Sequence, residues 1–366
     1  MKIRAVTLFA SSILLAVPAI SVNAEEQGSS VFDEDQDYYD FAEEQDYRYA
    51  PKRATVKGEK KLTCVGIKYS NINRHVGKGT CKTIANRVSS FYRRNSRGHL
   101  QLKAEGHLLR VPFRGSKKSY RKAVRIVKNN YNSDLWAIPG IFTHNHAGKK
   151  VAYLKGSLVS TAVHEVGHLL GLGHSGVYKK KKGKWKLDTY GDGHSAMSRF
   201  SSAFLTAPQY YHQGWLPENE AVIWEEGKLY DLKRINDFDG EGLATVIVKH
   251  SEFNPHNNDS ASNGGNGKTR DAFISFPIGC RSSCIALHLS SGGASQRVKL
   301  FANEYYDKRF TGLHIKKLGY ENGRMRISVD FDEEPEEFAD NSMLEWDDTV
   351  TQILDIEDAD EDEVED

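Results

Sequence analysis

Apolar and polar residues follow two different periods along the first half of the chain. Apolar side chains recur every three or four residues where we predict helices, as with Ile84, Val88 and Phe91. Shorter apolar runs between these segments predict strands. The expected order is strand 62–69, helix 80–94, strand 100–113, helix 120–131, strands 135–142 and 151–154, and helix 157–170. This order predicts an α/β or α+β domain built on a mixed sheet.

The pattern changes after residue 217. Short β-rich runs then alternate with turns of Gly, Asn and Ser. Such runs are typical of a β-sandwich or a small barrel. We therefore expect a smaller, sandwich-like β-rich domain over residues 218–331. Its predicted strands are 244–248, 273–276, 285–289, 298–301 and 325–329.

The first 24 residues predict a secretory signal peptide. Lys2 and Arg4 precede an apolar stretch, 5–17, that is too short to cross a bilayer. Small residues at 22–24 predict cleavage before Glu25. No later stretch approaches 18 apolar residues, so no membrane span is expected after removal of the signal. The protein is therefore expected to be secreted, to the extracellular space or the periplasm.

Charge is strongly segregated along the chain, although the formal net charge is only +1. Residues 25–50 carry ten acids and one base, and residues 332–366 carry eighteen acids and no base. Like-charged blocks are usually solvated, but these could also bind the basic remainder of the chain. Residues 25–60 are thus an acidic N-terminal segment and a candidate propeptide, and 332–366 form an acidic tail. The basic remainder contains no nucleic-acid recognition motif, so nucleic-acid binding is not expected.

The four cysteines are Cys64, Cys81, Cys280 and Cys284. An even number in an exported protein favours two disulfides, for which three connectivities exist. The simplest pairs Cys64 with Cys81 and Cys280 with Cys284. A zinc site formed by all four is the alternative, but neither pair has the two-residue gap of a zinc knuckle.

Chemistry is concentrated in residues 164–174, His-Glu-Val-Gly-His-Leu-Leu-Gly-Leu-Gly-His. On a helix, His164 and His168 leave the same face one turn apart and can bind one zinc ion. Gly171 permits the chain reversal that would return His174 to the same ion. Three protein ligands leave one position open, as in catalytic zinc sites. Glu165 can reach a water at that position and act as a general base.

This stretch matches the long zinc motif of the metzincin metalloproteases. Met197 follows His174 at a distance that fits the Met-turn of that clan. Within the clan, the surroundings are most similar to the gametolysin (autolysin) family, a resemblance that covers roughly residues 62–290. It rests on Tyr190-Gly191-Asp192, Ala207-Pro208-Gln209 and Gly214-Trp215-Leu216. It implies a catalytic domain over 61–217 with a zinc helix and a Met-turn.

The resemblance further implies a zinc endopeptidase that hydrolyses peptide bonds with one catalytic Zn²⁺. Val151, Ala152 and Tyr153 are the implied strand that pairs with an extended substrate. Protein or glycoprotein substrates are expected, acidic ones included, because a lysine run follows the motif at 179–184. Many secreted metzincins are held latent by a prosegment cysteine, which residues 25–60 lack.

Two further readings remain open. One is a secreted protein that binds zinc without turnover and attaches to acidic polymers or glycoproteins. The presence of Glu165 argues against it, because a protein without turnover has no need of a general base. The other is an additional calcium site at Asp188 and Asp192, for which two acids are too few.

Overall fold

A computed structural model describes residues 56–331, with gaps at 182–183, 200–201, 239, 250–269, 278–283, 291–293 and 308–311. The predicted signal, residues 25–55 of the acidic segment and the acidic tail lie outside the described residues. No helix in the described part is long and apolar enough to span a membrane.

The first eight elements form one layered unit. They are β1 (Gly58–Lys68), α1 (Lys78–Asn95), β2 (Leu100–Arg110), α2 (Lys117–Asn130), β3 (Leu135–Pro139), β4 (His146–Gly148), β5 (Val151–Leu154) and α3 (Val159–Leu169). The strands make a five-stranded sheet in the order β2-β1-β3-β5-β4. β4 is the antiparallel strand at one edge, and the others run parallel. These elements begin and end within a few residues of the predicted ones, except for β4, which was not predicted.

Successive residues of β1 point to opposite faces of this sheet. Leu62 and Cys64 belong to a core shared with α1 and α3. Val65 and Ile67 belong to a second core shared with α2. The sheet is therefore covered on both faces, and α3, with the predicted metal ligands, lies on the same face as α1.

Helix α2 is strongly amphipathic. It begins at a capping box in which Ser116 and Ser119 satisfy each other's backbone N–H groups. Its buried residues include Tyr120 and Val124. Its outer face exposes six basic side chains and no acid: Lys117, Lys118, Arg121, Lys122, Arg125 and Lys128.

The strands of the remaining elements form two more sheets. These elements are β6 (Ser175–Lys181), β7 (Lys184–Asp188), α4 (Ala207–His212), a 3₁₀ turn (Glu218–Glu220), β8 (Ala221–Ile223), β9 (Leu229–Leu232), β10 (Thr245–Val248), β11 (Asp271–Ser275), β12 (Ile285–Ser290), β13 (Ser295–Phe301), β14 (Glu304–Asp307), β15 (Leu313–Glu321) and β16 (Arg324–Phe331). One sheet has the order β7-β6-β13-β12-β11-β10-β8, and the other β14-β15-β16-β9. A single apolar core contains residues from both, as in a β-sandwich.

The predicted domain boundaries differ from this arrangement. The β6–β7 hairpin precedes residue 217, yet β6 pairs with β13 of the predicted C-terminal domain. A cut at 217 would therefore divide the seven-stranded sheet. At the other end, β1 begins at Gly58, inside the predicted acidic segment 25–60. Sequence periodicity identifies strands but not their partners, so it gives no sign that β6 pairs with a strand beyond residue 217.

Candidate metal centre

Helix α3 presents two of the predicted ligands together. Val163 and Val166 anchor the helix in the core. The rings of His164 and His168 are centred 4.8 Å apart, and their Nε2 atoms are separated by 3.1 Å. Two nitrogens of a tetrahedral zinc site, each about 2.0–2.1 Å from the ion, lie about 3.3 Å apart. The two Nε2 atoms thus already have nearly the spacing of a ligand pair.

The third predicted ligand arrives through a sharp reversal. Gly171 has a φ of +88°, a left-handed conformation that glycine adopts without strain. The Leu172 N–H donates to the Gly167 carbonyl at 2.9 Å and closes the end of α3. The ring of His174 then lies 4.5 Å from that of His168. One ligand atom from each of the three histidines lies within 4.8 Å of the others.

Backbone carbonyls orient two of these rings. Nδ1 of His164 lies 3.2 Å from the Ala196 oxygen, and Nδ1 of His168 lies 2.8 Å from the Leu172 oxygen. A carbonyl oxygen can only accept, so each Nδ1 carries the proton and each Nε2 has a lone pair. Facing lone pairs repel unless a cation lies between them. The donor set and its outer hydrogen bonds therefore fit a zinc ion.

The protonation states also suit metal binding. Burial, followed by the charge on His174, lowers the pKa of His164 to about 4, so its ring is neutral at pH 7. Glu165 is 5% exposed, and burial raises its pKa to about 7. Its Oε2 is buried and has no hydrogen-bond partner among the described residues. A carboxyl group with a pKa near neutrality beside the ligands can both accept and release a proton.

Met197, the predicted Met-turn residue, packs against α3 at Gly167. It is fully buried in a turn that also supplies the Ala196 carbonyl to His164. A methyl group at Gly167 would come 2.4 Å from its sulfur. The thioether is therefore packed directly against α3 between the two helical ligands. This contact explains why a glycine occupies that helix position.

Tyr190 is a site residue that the sequence reasoning did not assign. Its ring is centred 4.1 Å from that of His174, and the residue is 40% exposed. It lies at the rim of the three-histidine cluster, where a ligand would enter. Its position in the resemblance to the gametolysin family was the available signal, but no chemical role followed from sequence alone.

The implied substrate strand needs correction. Val151 and Ala152 are fully buried, and their strand β5 pairs with β3 on one side and β4 on the other. Val151, Ala152 and Tyr153 therefore have no free backbone edge. The edge strand on this side of the five-stranded sheet is β4 (His146–Gly148), which packs against α3. With three residues, β4 is too short for a recognisable apolar pattern, so sequence alone does not reveal that it covers β5.

The cysteines differ partly from the expected pairs. Cys64 of β1 and Cys81 of α1 are buried free thiols. Burial, and then a hydrogen bond with Cys81, raises the pKa of Cys64 well above its ordinary value. The predicted bond between them is not formed in this structure. Cys284 is disulfide-bonded, and Cys280, its predicted partner, lies outside the described residues.

The suggested calcium ligands are engaged elsewhere. Asp188 forms ion pairs with Lys179 and Arg199. Asp192 is fully buried. Burial alone would raise its pKa, but the hydrogen bond from His288 and the charge of Arg297 hold it well below the ordinary value. Both carboxylates are thus already neutralised by cationic partners, which leaves no basis for a calcium site there.

Comparison of the chain with protein-family models, with curated proteins and with solved structures finds no match.

Proposed function

We propose that this protein is a secreted zinc-dependent endopeptidase of the metzincin type, similar to the gametolysin family. One observation carries the proposal. Two imidazole nitrogens face each other at 3.1 Å, and a third histidine lies within reach. The adjacent Glu165 has a buried oxygen that no described residue hydrogen-bonds. A purely structural site would not require a buried acid beside three histidines.

The residues of the three-histidine cluster and their neighbours have separate roles in peptide hydrolysis. His164, His168 and His174 would hold the ion, and Met197 supports α3 from below. Bound zinc supplies Lewis-acid polarisation of the scissile carbonyl and lowers the pKa of water. Glu165 takes the proton of the attacking water and returns it to the leaving amine.

Substrate binding is assigned to surfaces next to the site. Among the described strands, β4 ends this side of the sheet, and its outer edge offers backbone groups to an extended peptide, which would add a strand to the sheet. The β6–β7 hairpin exposes Lys179, Lys181 and Lys186. These charges favour acidic proteins or glycoproteins as substrates. The acidic tails of the chain itself would compete for the same charges.

The decisive experiment compares Glu165→Gln with Glu321→Gln in the intact chain. Glu321 is exposed on the β15–β16 hairpin, so its variant controls for the loss of a carboxylate. Removing a general base costs about 10²–10⁴-fold in rate. Casein cleavage should fall by that factor in the Glu165 variant and stay unchanged in the control.

Zinc content separates this proposal from its alternative. The Glu165 variant should retain zinc, because this residue is not a ligand, and 1,10-phenanthroline should abolish wild-type cleavage. A wild-type protein that binds zinc but cleaves neither casein nor a peptide library would support the alternative, a zinc-containing binding protein. Cleavage that is unaffected by the Glu165 substitution would refute the mechanism.

A further inference from the structure

The third predicted ligand, His174, is held by a strand far along the chain. The backbone N–H of Ser295, the first residue of β13, donates to the His174 carbonyl at 3.0 Å. From there β13 runs parallel to β6, with Ser295 opposite Ser175 and Arg297 opposite Val177. The first contact between these strands is therefore made by the peptide group of a predicted metal ligand.

Gly173 shows how closely the two segments approach. A Cβ at this position would lie 2.9 Å from the N, Cα and Cβ atoms of Ala294. Two of these are backbone atoms, which cannot rotate away as the end of a side chain can. Glycine next to His174 is thus required by the start of β13, a reason unrelated to the helix reversal at Gly171.

A buried ion cluster fixes the residue that follows the ligand. Asp192 accepts a hydrogen bond from the Ser175 hydroxyl at 2.8 Å. The same carboxylate lies 3.2 Å from Nε2 of His288 and 3.4 Å from Arg297. Asp192 is 0% exposed and His288 is 2% exposed. His288 lies on β12 and Arg297 on β13, opposite each other in the sheet.

We propose that the seven-stranded sheet positions the third ligand of the metal site, with Asp192 and His288 as positioning residues that act through Ser175. The inference rests on the proposed function only in that the three histidines bind a divalent metal. Ser175 is held by the Asp192 carboxylate, and its N–H also donates to the Met197 carbonyl at 2.8 Å. The His174 backbone is thereby fixed on both sides, by β13 and by the Met197 turn. The C-terminal strands are part of the metal site and not an accessory domain.

The test is zinc affinity in the full-length chain, with His288→Gln matched to His314→Gln. His314 is also a buried histidine on a strand, 2% exposed, and pairs with Glu304 at 2.5 Å, but in the four-stranded sheet. Loss of an outer-shell partner typically weakens metal binding about 10–100-fold. Competition with a chelating dye should show that loss for His288→Gln and an unchanged affinity for His314→Gln. The visible absorption of bound Co²⁺ should change in the first variant alone.

A second pair covers the case in which His288→Gln does not fold. Gly173→Ala leaves the ion cluster intact and displaces Ala294, whereas Gly319→Ala adds a methyl group with no atom within 4 Å. Only Gly173→Ala should weaken zinc binding. If folded His288→Gln and Gly173→Ala bind zinc as tightly as their controls, the positioning role is refuted. A wild-type chain that binds no zinc would instead refute the proposed function.

Discussion

Gly167→Ala tests how tightly Met197 and Tyr92 pack against the helix of the three-histidine cluster. The new methyl carbon would lie 2.4 Å from the Met197 sulfur and 2.8 Å from the Tyr92 hydroxyl. Favourable contacts between non-bonded heavy atoms lie near about 3.5–4.0 Å, so both neighbours must move. Both are fully buried, and the Tyr92 hydroxyl donates to the Val163 carbonyl of α3 at 2.6 Å. Movement of either group therefore disturbs the core or breaks this hydrogen bond.

The expected cost combines three contributions. Overpacking a buried site costs about 1–3 kcal/mol, and loss of the Tyr92 hydrogen bond adds about 1 kcal/mol. Replacing glycine by alanine inside a helix returns about 1 kcal/mol. We therefore expect Gly167→Ala to lower the free energy of unfolding by about 1–3 kcal/mol.

Urea denaturation of the metal-stripped full-length chain measures this change without a contribution from bound zinc. Gly156→Ala is the control, because no atom lies within 4 Å of its added methyl group. In a Tyr92→Phe background the cost of Gly167→Ala should fall by about 1 kcal/mol, since the two changes share one contact. An unchanged or higher stability of Gly167→Ala would show that Met197 is not packed against α3 as described.

Three other outcomes are expected. Folding lowers the pKa of Asp192, so its ionised form contributes stability that is present above about pH 4 and lost as the pH falls. In Asp192→Asn, Tm should therefore fall less steeply than in the wild type as the pH is lowered. Lys233→Ala leaves buried Glu220 with one cation fewer and should cost about 3–5 kcal/mol in urea denaturation. Arg326→Ala removes one partner of an exposed pair and should have a much smaller effect. Equal losses of stability would show that burial does not decide the strength of these pairs. Carbodiimide cross-linking of the intact chain at low salt should join carboxylates of residues 332–366 to lysines of α2. These links should disappear at about 1 M salt, which screens the charges. Links spread evenly over all exposed lysines would argue against binding of the tail to this helix.

The part of the site that could be predicted from sequence is local. His164, Glu165 and His168 share one helix, and a single glycine explains the return of His174. Periodicity alone places these side chains relative to one another. Met197 required the family resemblance, because a lone methionine has no pattern of its own.

The remainder depends on contacts between distant segments. His288 and Asp192 are separated by 96 positions, and neither lies in a motif that links them. The pairing of β6 with β13 likewise has no signal in the periodicity of either strand, so sequence alone does not join residues on the two sides of position 217. A short edge strand such as β4 likewise shows no recognisable apolar pattern. Sequence periodicity indicates which side chains of one element are buried. The order of strands in a sheet depends instead on which strands pair with each other.

The parallel pairing of β6 with β13 also sets an order of events during synthesis. Ser175 emerges from the ribosome long before Ser295, its partner in the sheet, and segments made first generally fold first. Until the later strand arrives, His174 lacks the backbone contact at its carbonyl. Under the proposed function, a chain that ends before Ser295 would therefore bind its metal more weakly than the full-length chain.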